Sequence, residues 1–522
     1  MSRPKAAIAL SILAALLVGC SGSQDTYPPA PEQIGRLALA QGRYKTDMAD
    51  YTAEYGTLLV PENRRRADSR AIELPLIRIR SSNPEPGAPI FYLAGGPGIS
   101  NIKPAYPPDS LLARHDIVMV GYRGVDGPTV LDCPEGTEAM TADGPPLLSR
   151  ERLGAIGAGW AACGQRLEES GIDLRGYNML EVIADMETAR AGLGYQRIHL
   201  LSRSYGTRVA YLYGLQHPQR IARSLMIGAN PPGRFVWEPE IVEGQLQYYA
   251  GLWAKDERAA ARSGDLLATM GQVLESMPDQ WLFFDIDPGK VEVMTAFMLF
   301  HCSTAPYIFD AYIAAQEGDA SGLALLSLAF NYLMPPTVVW GDLTAKAIGA
   351  DFDTGRDYFH EMDPPDALLG SPLSKFTWSA MQFGDWPYDP IPEKYRRPRP
   401  SPVETLIING SIDFSTPAEN TENELMPYLE NGRHVVLSEA GHLQDLLAFQ
   451  PEARDHLVGG FLADGTVDAS RYTHEPVDFE VGFSLGLIAK LCVAAVGVGV
   501  LVIAAIAFWI IRRVRRRKRI KG

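Results

Sequence analysis

Six short apolar runs constrain this chain more than any other feature: residues 89–93, 116–120, 197–201, 222–227, 405–408 and 434–437, each bounded by Gly, Pro or polar residues. They are too short for ordinary helices, and in 89–93, 116–120 and 197–201 most residues are apolar in succession rather than at alternate positions. That pattern belongs to strands buried on both faces, as in a parallel sheet. Helical patterns stand between them, at 180–193 and 208–216 around the run 197–201. Two further β-rich segments, 56–60 and 71–80, precede the series. Strand and helix in alternation with short loops imply an α/β, doubly wound, mostly parallel sheet. The rhythm breaks over 232–387, which is mostly helical in pattern and rich in Trp, Phe, Tyr and Met. That stretch is expected to be a helical cap inserted between a first core part, 49–231, and a second, 388–464.

Both ends read as membrane signals. Met1-Ser2-Arg3-Pro4-Lys5 and the apolar run 6–18 form a signal-peptide pattern. It closes on Leu17-Val18-Gly19-Cys20, which resembles a bacterial lipobox, so 1–20 reads as a lipoprotein-type signal peptide with Cys20 as the acylated residue and 21–48 as a polar linker. After a second linker, 465–490, the run 491–511 is apolar without interruption and long enough to span a bilayer. The basic tail 512–522 follows at once. Positive flanks stay in the cytoplasm. The expected arrangement is a single-pass protein of a bacterial cell membrane, with its body extracytoplasmic and its C-terminus cytoplasmic. The formal net charge of −14 argues against nucleic acid as a partner, since phosphate binding needs a basic footprint.

In an exported chain disulfides persist. Cys133 and Cys163 flank one loop-plus-helix segment and are expected to pair, a bridge contributing roughly 3–4 kcal/mol in the chain-entropy view. Cys302 has no evident partner and Cys492 lies in the apolar helix. No Cys-x-x-Cys pair or His-Glu-x-x-His helix occurs, so neither a metal nor another cofactor is signalled.

The chemistry-bearing residues follow strands. The run 197–201 leads into Ser202-Arg203-Ser204-Tyr205-Gly206-Thr207 and then a helix, the strand–turn–helix context of a nucleophile elbow. Ser202 stands where glycine is usual, which implies a somewhat strained turn. The run 405–408 ends in a loop presenting Asp413, and the run 434–437 leads to Gly441-His442. The order Ser, Asp, His is that of α/β-hydrolases. A serine hydroxyl needs an adjacent base; His442 would take the Ser204 proton, and Asp413 would hold His442 in the right tautomer. Leu93-Ala94-Gly95-Gly96-Pro97-Gly98 follows another strand, and its amides, with that of Tyr205, could meet a developing oxyanion.

With these motifs in place the chain resembles the proline iminopeptidase and tripeptidyl-aminopeptidase family of α/β-hydrolases. The shared features run from Tyr55-Gly56-Thr57-Leu58-Leu59-Val60-Pro61-Glu62 through Gly95-Gly96-Pro97-Gly98, Gly121-Tyr122-Arg123-Gly124 and Ser204-Tyr205-Gly206-Thr207 to Asp413, Thr416-Pro417 and Gly441-His442. The resemblance implies that Gly96 and Tyr205 supply the oxyanion amides. The chain departs from the family pattern at Ala94, Gly121 and Ser202, and Phe383 stands where some relatives have a cysteine, which leaves Cys302 without that partner. Family peptidases bind the substrate's free amino terminus with acidic residues in or near the cap, and the sequence does not single these out. Three readings follow: an aminopeptidase for short peptides, an esterase or amidase for small molecules on the same triad, and a catalytically inactive binding protein at the membrane.

Overall fold

A computed structural model describes residues 27–45, 49–103, 109–448 and 450–520. The signal-peptide stretch with Cys20 lies outside the described residues. Eleven strands are β1 (Leu37–Lys45), β2 (Asp50–Pro61), β3 (Ala71–Ile79), β4 (Ile90–Leu93), β5 (Ile117–Val120), β6 (Ile198–Arg203), β7 (Ile221–Ile227), β8 (Gln280–Trp281), β9 (Phe284–Asp285), β10 (Thr405–Gly410) and β11 (Gly432–Leu437). Nine of them make one sheet in the order β1-β2-β3-β5-β4-β6-β7-β10-β11. The β1–β2–β3–β5 side is antiparallel, and from β5 through β4, β6, β7 and β10 to β11 every pairing is parallel. All six apolar runs become strands, with ends within two residues of those expected. For β4, β5 and β10 the apolarity has the reason anticipated, since every residue is buried; β11 departs from it, because it is the sheet's other edge and none of its residues is fully buried. Helices α1 (Met179–Gly192) and α2 (Tyr205–Gln216) flank β6 in sequence.

The structure corrects the sequence reading at the sheet's edge. Residues 21–48, expected to be a linker, carry β1, which pairs with β2 over nine residues at the sheet's edge. Its Gln41, Arg43 and Lys45 gave no apolar signal, because an edge strand is held by backbone hydrogen bonds and half of it faces water.

Between β7 and β10 the chain is helical apart from the β8–β9 hairpin. These helices share a hydrophobic core with residues 131–177, which the sequence alone placed with the sheet; Leu153, Trp160 and Tyr177 pack into the cluster that also holds Trp253, Phe309 and Trp378. Cys133 and Cys163 are joined by a disulfide across a sequence separation of 30, with Cα atoms 5.4 Å apart. Cys302 is buried and in no disulfide. The last of the helices that follow the sheet runs from Leu485 to Ile520, beginning before the expected span. Its portion Leu485–Arg512 is long and apolar enough to cross a membrane.

A buried charge network ties the turn after β5 to α1. Arg123 is fully buried and forks onto Asp185, with Nε donating to Oδ2 at 2.7 Å and Nη2 to Oδ1 at 2.8 Å. The same guanidinium donates to the carbonyls of Pro61, Glu62 and Gly176. Arg64 Nη2 donates to the same Asp185 Oδ1 at 2.7 Å. Removing one member leaves an uncompensated buried charge, so Asp185→Ala is expected to cost about 3–5 kcal/mol. Urea unfolding would show this as a lower midpoint at unchanged slope.

Candidate active site

Ser204 follows β6 directly and begins α2. Its backbone is left-handed, φ 47° and ψ −123°, a conformation a non-glycine residue adopts only when its surroundings enforce it. Here the enforcement is local. Ser204 N donates to Ile227 O at 2.9 Å, and Ser204 O accepts from Thr207 N at 2.8 Å. Gly206 is required by close packing: a Cβ there would stand 2.3 Å from Leu93 O. Ser202, where glycine was expected, is fully buried, and its hydroxyl donates to Leu225 O at 2.9 Å. The side chain is thus accommodated by a hydrogen bond to the neighbouring strand β7.

Asp413 lies in the loop after β10 and is completely buried. Its Oδ1 accepts the amides of Ser415 and Thr416, each at 2.8 Å. Its Oδ2 accepts Thr416 Oγ1 at 2.8 Å and meets His442 Nδ1 at 2.8 Å. Burial alone would raise this carboxyl's pKa, but the His442 charge and the hydrogen bonds from His442 and Thr416 outweigh it and hold Asp413 below the usual carboxylate range. His442 follows β11, almost buried, at Gly441-His442. A loop between the cap helices braces it: His442 N donates to Phe300 O at 2.6 Å, and Gly441 N and Cys302 N both donate to Asp445 Oδ2, at 2.9 and 2.7 Å.

Two glycines hold the serine and histidine ends close together. A Cβ on Gly95 would meet Ser204 Cβ at 3.3 Å, and one on Gly228, the residue after Ile227, would meet His442 Cε1 at 3.1 Å. Leu443 side-chain atoms lie within 4.0 Å of both positions. Among the described residues no hydrogen bond joins Ser204 to His442; such bonds commonly tighten only when substrate binds.

The Gly-Gly-Pro-Gly loop stands over Ser204. Gly96 has φ 109°, which few other residues tolerate. Ala94 N donates to the buried Asn101 Oδ1 at 2.7 Å, fixing one side of the loop. The cap fixes the other: Gly98 N donates to Asp342 Oδ2 at 3.0 Å, and Val339 N to Gly98 O at 2.8 Å. Asp342 is fully buried, and Lys346 Nζ sits 2.6 Å from its Oδ1. Burial raises the Asp342 pKa and lowers that of Lys346, and each opposes the shift of the other. Nothing local in sequence marked Asp342 or Asp445; Asp342 acts on Gly98, and Asp445 on the nearby Gly441 and the distant Cys302. Thr416 lay within a motif already noted, but its bonding to both Asp413 and His442 required the structure.

A cavity of about 70 Å³ opens beside Ser204, Tyr205 and Gly96, walled by Phe235, Trp237 and Trp378. Among the described residues, no Asp or Glu lines it. Its polar groups come from neutral side chains such as Asn230, Thr377 and Thr416.

Fold and sequence comparison now agree on the class. A family profile described as alpha/beta hydrolase fold matches residues 88–271, which include Gly96, Ser204 and Tyr205. A second, described as TAP-like protein, matches 372–473, which include Asp413 and His442. The chain has the α/β-hydrolase fold, and the proteins it is similar to in sequence include peptidases. Tripeptidyl aminopeptidase of Streptomyces lividans is 24% identical over 459 residues, spanning 81% of this chain and 83% of that protein. Serine protease Hip1 of Mycobacterium tuberculosis is 28% identical over 196 residues, 36% of this chain and 38% of its own. The solved epoxide hydrolase CorEH aligns over 81% of this chain and 99% of its own at 10% identity and a TM-score of 0.34.

Proposed function

We propose that this protein is an extracytoplasmic serine hydrolase that removes amino-terminal units from short peptides through an acyl-enzyme. The observation that carries the reading is the conjunction of a strained Ser204 at a strand–helix elbow with a buried Asp413–His442 pair at 2.8 Å on the same edge of the sheet. In the first step Ser204 Oγ adds to the scissile carbonyl carbon and His442 Nε2 takes the hydroxyl proton. The carbonyl oxygen becomes an oxyanion, stabilised by the amides of Gly96 and Tyr205. The C–N bond then breaks as His442 returns the proton to the leaving amine. Water, deprotonated by His442, hydrolyses the Ser204 ester and frees the enzyme. Asp413, ionised and buried, orients the imidazole and offsets its positive charge.

Placement outside the cytoplasm is supported by the apolar helix with its basic C-terminal flank. Acylation of Cys20 remains part of the same proposal, as a second anchor.

One observation favours a second reading. A cavity without a carboxylate offers nothing charged to a free α-amine. An enzyme for small esters or amides would need no such partner. The two separate in a panel of aminoacyl-amides and tripeptidyl-amides, their N-acylated counterparts, and short acyl esters. The peptidase reading expects kcat/KM to fall at least about tenfold when the amine is acylated, the equivalent of 1.4 kcal/mol. Equal rates for free and acylated substrates, with esters preferred, would replace it with the esterase reading.

A further inference from the structure

The β8–β9 hairpin projects from the cap beside the C-terminal helix, and its tip is Leu282-Phe283, 62% and 73% exposed. Leu282 has φ 57°, a left-handed position that a hairpin in water would give to glycine or asparagine. An apolar side chain is kept there despite the strain. Between hairpin, cap helix α3 (Ser321–Leu333) and the C-terminal helix lies a groove of about 680 Å³. Phe283 and Leu328 form one wall and Val496, Val500 and Leu501 the other, and among the described residues no charged side chain lines it. Val496 and Leu501 are 68% and 70% exposed.

We infer that the hairpin tip and the adjoining face of α3 enter the outer leaflet, and that phospholipid acyl chains fill this groove. The inference rests on the reading of the C-terminal helix as a membrane span, and helix length supplies its main argument. A hydrocarbon core of about 30 Å takes about 20 residues at 1.5 Å each. Counted back from Arg512, the first charge, the outer edge of the hydrocarbon falls near Cys492. Val496 to Leu501 then lie about 6–14 Å inside it. A hairpin that shares a groove with those residues lies at the same depth. Moving the edge out to Val500 would leave about 12 residues, roughly 18 Å, which cannot span. The flanking polarity agrees. Asp279 and Asp285 are exposed at the hairpin's base, Trp281 sits between base and tip, and Lys490 pairs with Asp319 just outside the counted edge. Aromatic residues with charged neighbours are the usual furniture of a bilayer interface.

The test uses the full chain in phosphatidylcholine vesicles. An environment-sensitive fluorophore is placed on Phe283→Cys in a Cys492→Ser background, and the signal of the labelled Cys492→Ser parent is subtracted. Leu282→Cys serves as a second probe of the tip, and Val500→Cys reports the helix itself. The proposal expects blue-shifted emission at Phe283→Cys and a loss of fluorescence with bromine-bearing acyl chains comparable to that at Val500→Cys. Quenching at Val500→Cys with water-like, unquenched emission at both tip probes would overturn the hairpin's insertion and leave the span intact. A blue-shifted but unquenched tip would assign the groove to protein, such as a second copy, and also overturn it. No quenching at any site would dismiss the spanning helix and this inference with it.

Discussion

Replacing Ser204 with alanine is expected to lower kcat about 10⁶-fold while leaving the fold intact. Only Oγ is removed, and the positive φ is as demanding for alanine as for serine, so the elbow keeps its hydrogen bonds to Ile227 and Thr207. Surface or near-surface changes of this kind typically shift stability within about 0.5 kcal/mol. The rate left over would come from the Gly96 and Tyr205 amides and from binding alone, since nucleophile and base act as a unit. Turnover of the best amide or ester substrate, alongside a thermal melt of both proteins, measures the split. A variant that melts with the wild type but loses only a few-fold in kcat would remove Ser204 from the chemistry.

The second large effect is expected at Asp413→Asn, about 10⁴-fold in kcat. The amide matches the carboxylate in shape. Its oxygen can keep the two backbone bonds from Ser415 and Thr416. Its nitrogen would then face His442 Nδ1, now donor to donor or forcing the proton onto Nε2, where the base must be empty to accept from Ser204. The charge that stabilises the imidazolium is lost as well. A Thr416→Val variant, which removes one hydrogen bond to Oδ2 but keeps the charge, should fall far less. Equal losses in the two variants would mean that Asp413 acts through the loop's shape and not through its charge.

The sheet and the proposed triad were legible for one physical reason. Strands β4, β5 and β10 are buried along their whole length, so most of their residues are apolar, and each proposed catalytic group stands just beyond a strand of this sheet: Ser204 after β6, Asp413 after β10 and His442 after the edge strand β11. Signals vanish where the partner is distant or the environment is water. Strand β1 shows little of itself because Leu37 and Leu39 are its only large aliphatics and it pairs at an edge. Asp342 holds the Gly98 amide from 244 residues away, and Asp445 ties Gly441 to Cys302 across the cap interface. No local pattern encodes such reach. Ser202 illustrates the converse. As a departure from the usual glycine it pointed to strain, yet the space beside β7 accepts a hydroxyl and gives it Leu225 O. The Leu282-Phe283 tip lies within the aromatic-rich stretch 232–387, and nothing local in sequence marks its exposure or its place beside the C-terminal helix.

The most direct test of the central claim is reaction of the full-length protein with a fluorophosphonate probe, followed by mapping of the modified peptide. The acyl-enzyme mechanism expects one phosphonylated residue, Ser204, with labelling abolished by Ser204→Ala and strongly slowed by His442→Ala. Absence of labelling in a folded wild-type protein, or labelling that persists in Ser204→Ala, would contradict it.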